Sequence, residues 1–233
     1  MRFPFSRAPH GAAPSVALSV ASPGTFGLAA ADASSRHLGL APDSRRRLLL
    51  SCLPLAALTL AGCGPDAPKL LGMDLSGMPT GDFQLQDVNG QSRTLADYRG
   101  HPILLFFGFT QCPDICPTAL TRALEIKELL GADADKLRVL FITVDPERDT
   151  PEILGAYTSA FDPGFVGLRG TAEQTRAAAQ SFKVFYQKVP TGSSYTMDHT
   201  ALTYVIDAKG KLRIALRHAQ SAAECVQDLR TVL

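Results

Sequence analysis

The chain has 233 residues, a formal net charge of +1 and 45% hydrophobic residues. Near-neutral charge gives no bulk attraction to nucleic acid, so no nucleic-acid partner is expected. The apolar content is ordinary for a globular protein, and the five cysteines must be placed one by one.

Residues 1–43 carry Ala, Ser, Pro and Gly with few acids and no clear period. They read as a non-native or disordered leader, from a misassigned start codon, or as an organellar transit peptide. Residues 44–62 have the form of a secretory signal: Ser44-Arg45-Arg46-Arg47, then an apolar run from Leu48 to Gly62. That run is short for a spanning helix, which needs about 20 residues. The arginines loosely resemble a twin-arginine signal. The ending Leu60-Ala61-Gly62-Cys63 resembles the lipobox of bacterial lipoproteins, which implies cleavage before a lipidated Cys63 and loss of Cys52 with the leader. An uncleaved anchor helix is the alternative. Residues 63–80 then form the lipidated N-terminus and a linker, and residues 81–233 form one domain.

Within that domain, alternation over 81–88 and 91–95 around Asn89-Gly90 predicts a hairpin. Pro102 to Phe109 is a continuous apolar run, hence a strand buried on both faces. A helix is predicted over 118–130, closed by Gly131, and a second buried strand over 137–144. The charged stretch 145–152 reads as a solvated loop in which Asp149 or Thr150 caps the next helix and Pro151 opens it. A short strand at 166–169 precedes a helix over 171–182, for which Thr171 and Gln174 form a capping box. Residues 184–189 are extended, 190–197 a polar loop, 203–207 and 211–216 a second hairpin, and 221–232 a closing helix. This order predicts an α/β fold: a thioredoxin-like three-layer sandwich with a mixed central sheet and an N-terminal β-hairpin extension.

The chemistry lies at the first strand–helix junction, Gly108-Phe109-Thr110-Gln111-Cys112-Pro113-Asp114-Ile115-Cys116-Pro117. Pro117 suits the first turn of a helix. A helix start favours thiolates, so both Cys112 and Cys116 are expected to ionise more readily than a free thiol. Spacing of four places the two on one face, suited to a disulfide or to two metal ligands. His199, before the strand at 203–207, is the candidate third ligand, with Asp198 to orient it and Met197 as a weak extra donor. In thioredoxin-like folds that loop usually carries a cis-proline, which this chain lacks. Two thiolates and one imidazole fall short of structural zinc, which takes four protein ligands, and suit copper, as Cu(I) and also Cu(II). Cys225 reads as a half-buried apolar residue, and His10, His37, His101 and His218 lack comparable context.

At these residues the chain resembles the Sco/SenC family: the decapeptide at 108–117, Val-Asp-Pro-Glu-Arg-Asp-Thr-Pro at 144–151 and Tyr-Thr-Met-Asp-His-Thr at 195–200, over roughly 81–232. The resemblance implies copper binding by Cys112, Cys116 and His199. It also implies assembly of the dinuclear copper centre in subunit II of cytochrome c oxidase, and tethering to a membrane facing an oxidising compartment. The expected place is the bacterial inner membrane, lipid-anchored and facing the periplasm, or else the mitochondrial inner membrane facing the intermembrane space. A copper metallochaperone is the first reading, with another copper chaperone or a thiol reductant as a further partner. The second is a thiol–disulfide oxidoreductase that reduces the same target, with Cys112 attacking and Cys116 resolving. A copper sensor shares the site, and a peroxidase is disfavoured because Phe109 stands where the peroxidase threonine belongs.

Overall fold

The structure, a computed structural model, describes residues 69–233. The expectations for the leader, the signal, Cys52, Cys63, His10 and His37 lie outside the described residues. In chain order the described part runs β1 (Met73–Asp74), β2 (Gln84–Asp87), β3 (Ser92–Thr94), β4 (Ile103–Gly108), α1 (Ile115–Leu130), β5 (Arg138–Thr143) and α2 (Pro151–Ser159). It continues with β6 (Val166–Arg169), α3 (Ala172–Ser181), β7 (Tyr186–Thr191), β8 (Ser194–His199), β9 (Thr203–Ile206), β10 (Leu212–Leu216) and α4 (Ala222–Leu229).

Eight strands form one mixed sheet in the order β1-β10-β9-β4-β5-β6-β2-β3. β4 and β5 run parallel at its centre, Phe106 opposite Phe141, and all six residues of β4 are buried. A strand covered on both faces needs a continuous apolar run, which is the pattern of Ile103 to Phe107. Helices cover both faces. Tyr157 of α2 packs on Phe141, while Phe182, just past α3, packs on Phe107 and Tyr204. Since neighbouring strand residues point to opposite faces, α2 and α3 lie on opposite sides, giving three layers.

The two predicted hairpins share one device. Asp87 accepts the N–H groups of Asn89 and Gln91, and Asp207 those of Lys209 and Lys211. Gly90 and Gly210 take the left-handed backbone each turn requires, with φ of 78° and 77°. The first hairpin, β2–β3, extends the sheet beyond β6.

Three expectations need correction. The stretch read as linker is folded from about residue 71: Met73 and Asp74 pair with β10, and the buried Asp228 carboxylate accepts the N–H groups of Leu71 and Gly72, each at 2.8 Å. Helix α1 starts at Ile115 rather than 118, with Cys116 and Pro117 in its first turn, where a helix start was expected for them. Residues 190–197 are not a loop. They belong to a separate two-stranded ribbon, β7–β8, in which Tyr186 pairs with His199 and Gly192 makes the tip at φ 60°. Strong propensity is lacking there, and cross-strand pairing decides the conformation.

Candidate metal centre

Three elements converge at the C-terminal end of β4. The loop after β4 carries Cys112, the first turn of α1 carries Cys116, and the end of β8 carries His199. One ligand atom from each lies within 4.8 Å of the others, the only such three-residue group of His, Cys, Asp or Glu among the described residues. Cys116 Sγ is 3.6 Å from His199 Nε2. Cys116 is fully buried, Cys112 and His199 half-buried. A cavity of about 200 Å³ opens beside them, lined in part by Phe109, Cys112, Ile115, Met197 and His199.

Glycine makes the close approach to β4 possible. A Cβ on Gly108 would stand 2.8 Å from Cys116 Sγ and 2.9 Å from the rings of Phe106 and Phe141. The imidazole is held by its surroundings. Phe106 and Phe109 meet it edge-on, each with centroids 5.9 Å away. Nδ1 lies 3.1 Å from the Thr200 carbonyl, an acceptor, so Nδ1 carries the hydrogen and Nε2 faces the sulfurs. The orienting partner is thus a backbone carbonyl. Asp198, expected in that role, is exposed at the cavity rim. Met197 is buried and lines the same cavity, two residues before His199 on the same face of β8.

The two thiols do not both shift downward as expected. The hydrogen bond from the Cys116 thiol outweighs burial and, with the N–H groups of Asp114 and Cys116, holds Cys112 down to about 3. The same interaction with Cys112, together with burial, pushes Cys116 well above the usual thiol range. The metal-free pair therefore shares one proton, with Cys112 the thiolate and Cys116 the thiol. Cys225 lies fully buried in α4, and burial raises its thiol to about 11, as befits an inert core cysteine.

The charged stretch after β5 is where the sequence reading missed most. Thr150 does cap α2, accepting from the N–H of Ile153. Asp145, expected to be solvated, and Asp149, the other candidate for the cap, are both buried. Asp149 takes hydrogen bonds from the hydroxyls of Thr143 at 2.5 Å and Thr110 at 2.6 Å, and from the Thr110 N–H at 3.1 Å. It thereby ties the loop that carries Cys112 to the end of β5. A run of charges gave no signal of this; the nearby threonines at 110 and 143 supply the donors.

A thioredoxin-like α/β sheet whose first strand–helix junction faces a histidine from another strand defines a class: proteins of that fold with a soft-metal donor set. The comparison with known proteins narrows it. The SCO1/SenC family model matches residues 75–233, and the chain belongs to that family. A "SCO2-like protein" of Rickettsia felis is 44% identical over 134 residues, covering 56% of this chain and 65% of the relative, so the match spans just under two thirds of that protein. The mouse "Protein SCO2 homolog, mitochondrial" is 34% identical over 201 residues, covering 81% of this chain and 79% of the relative. Among solved structures, Bradyrhizobium japonicum ScoI with copper bound is 43% identical, with a TM-score of 0.62 over 66% of this chain and all of that one.

Proposed function

We propose that this protein is a membrane-tethered copper metallochaperone that binds copper through Cys112, Cys116 and His199 and helps to assemble the copper centre of cytochrome c oxidase subunit II. The observation that carries the reading is the convergence of two sulfurs and one imidazole nitrogen within 4.8 Å. The donor set is soft and low in number, which suits Cu(I) and leaves a tetrahedral structural zinc site incomplete. Similarity to a ScoI structure with copper bound supports the same metal. The half-buried Cys112 at the cavity mouth suits handover by ligand exchange, because an incoming thiolate can reach the metal from that side.

The tether proposed is lipid on Cys63, holding the protein on the bacterial inner membrane facing the periplasm, with the mitochondrial inner membrane as the alternative setting. Among the described residues no helix is long and apolar enough to cross a membrane. The folded sheet begins within about ten residues of Cys63, and such a length spans at most roughly 35 Å, so the tether would keep the domain close to the bilayer. Mass spectrometry of membrane-extracted protein tests it: an N-terminal lipidated Cys63 is expected, and intact residues 1–62 would refute it.

A thiol–disulfide oxidoreductase is the second reading, favoured by the unequal pair. A thiolate at Cys112 is the attacking group that such exchange needs, with Cys116 held back as the resolving thiol. Copper stoichiometry and affinity of the reduced protein, beside Cys112→Ala, Cys116→Ala and His199→Ala, separate the two. One tight copper lost in all three variants supports the metallochaperone. Binding that ignores His199, or none, supports the reductase.

A further inference from the structure

We propose that Arg148 is a positioning residue that locks the ribbon bearing His199 to the loop bearing Cys112; this rests on the copper-site reading above. The ribbon β7–β8 forms its own two-stranded sheet and shares no ladder with the central one. An isolated two-stranded ribbon is marginal in water, so side chains must set its place relative to the cysteines. Arg148 does so at the junction. Its Nη1 donates to the Tyr195 carbonyl at 2.8 Å and to Gln111 Oε1 at 3.0 Å. Gln111 directly precedes Cys112, and Tyr195 lies on β8 four residues before His199. Nε bonds the buried Asp145 carboxylate, which also accepts the Tyr195 hydroxyl at 2.9 Å. The guanidinium stacks 3.7 Å from the Tyr195 ring centroid and stands 5.8 Å from that of Phe109.

Two further observations favour a role tied to the site. Nη2 of Arg148 is buried with no partner. Leaving a buried donor unpaired is unfavourable, and such exceptions gather where geometry serves function. Of the other side-chain bridges to the ribbon, the Tyr195 hydroxyl ends on the same Asp145 carboxylate that Arg148 pairs, and Lys188 to Glu147 at 2.8 Å is exposed and screened, so it holds weakly. A planar fork can reach Gln111, Asp145 and the Tyr195 carbonyl at once while lying flat on a ring. A lysine ammonium cannot. Donor sets tolerate displacements of only about 0.5 Å, so loosening the ribbon should withdraw the imidazole and leave copper on the two sulfurs.

A thermodynamic cycle tests this in the reduced protein: unmodified, Arg148→Lys, His199→Ala, and the double variant. Cu(I) affinity is read by chelator competition, and amide hydrogen exchange over 194–199 is read without metal. Arg148→Lys is expected to weaken copper roughly 10–100-fold, to add no further loss in the His199→Ala background, and to speed exchange in β8 while β4 and β5 stay protected. An equal loss in both backgrounds, or unchanged affinity and exchange, would overturn the proposal. If the unmodified protein takes no copper or ignores His199, the copper reading has failed. The exchange data then decide for Arg148 alone, and unchanged exchange overturns it. Should Arg148→Lys fail to fold, Gln111→Ala, which removes one arm, must show the same dependence on His199; additive losses would again refute the lock.

Discussion

Cys116 Sγ and His199 Nε2 stand 3.6 Å apart although 83 residues separate them in the chain. The ring is fixed by two phenylalanine edges and one backbone carbonyl, so removing it should leave the fold standing while taking away one donor. We expect His199→Ala to weaken Cu(I) by more than the roughly 10–100-fold that losing an outer partner of a ligand costs. Chelator competition measures it, and an unchanged melting temperature would show that the loss is local.

Copper binding should release protons with a defined sign. Cys112, near 3, is already a thiolate at neutral pH, whereas Cys116 keeps its proton. Metal ligation requires both sulfurs deprotonated, so one proton leaves per copper bound. Apparent affinity should therefore rise about tenfold from pH 8 to pH 9, and fall as the pH drops. A slope near zero in the competition titration would place copper on Cys112 without Cys116.

Oxidation makes a complementary case. A disulfide between Cys112 and Cys116 leaves no thiolate for a soft metal. The oxidised protein should lose high-affinity copper binding, and reduction should restore it. Tight binding by protein shown to be disulfide-bonded would remove the thiolates from the site.

Gly108 sets how closely α1 approaches β4. In Gly108→Ala the new methyl would meet Cys116 Sγ at 2.8 Å and two aromatic rings at 2.9 Å. Overpacking of this kind costs about 1–3 kcal/mol, and the movable neighbour is the sulfur. We expect a lower melting temperature together with weaker copper binding. A drop in stability with full copper affinity would show that the rings gave way instead.

These residues also show what the sequence could and could not reveal. The buried strands β4 and β5 were legible because a strand covered on both faces needs an unbroken apolar run. That Cys112, Cys116 and His199 come together was legible because few residue types suit soft metals, and their spacing narrows the choices. Asp145, Arg148 and Asp149 were not, since a charged run looks the same whether water or the protein satisfies it. Only the fold brings Thr110, Thr143 and Tyr195 to them. Most of β7 was legible as the extended stretch 184–189, but β8 was not, for a related reason: its polar residues lack the alternation that marks a half-buried strand, and burial runs only at Tyr195, Met197 and their neighbours. Thr200 could not be foreseen as the imidazole's partner, because a backbone carbonyl leaves no trace in residue type.

Asp228 joins the two ends of the domain. It is fully buried on α4, accepts the N–H groups of Leu71 and Gly72, and receives Gln220 Nε2 at 3.2 Å. Gly72 fits because a Cβ there would stand 2.8 Å from Ile214 and 2.9 Å from the Ala215 carbonyl. In Asp228→Ala those donors lose their acceptor, and each buried donor left unpaired costs about 1–3 kcal/mol. The loss should be about 2–4 kcal/mol once water re-enters and satisfies some of them. Strand β1 has only two paired residues, too few to hold the edge of the sheet by itself. Hydrogen exchange over 71–75 should therefore accelerate well beyond that of β9 and β10. Copper affinity should stay unchanged, because Asp228 touches none of the three donors. Protection persisting over 71–75 in the variant would mean that pairing with β10, rather than the carboxylate, holds the N-terminal segment in place.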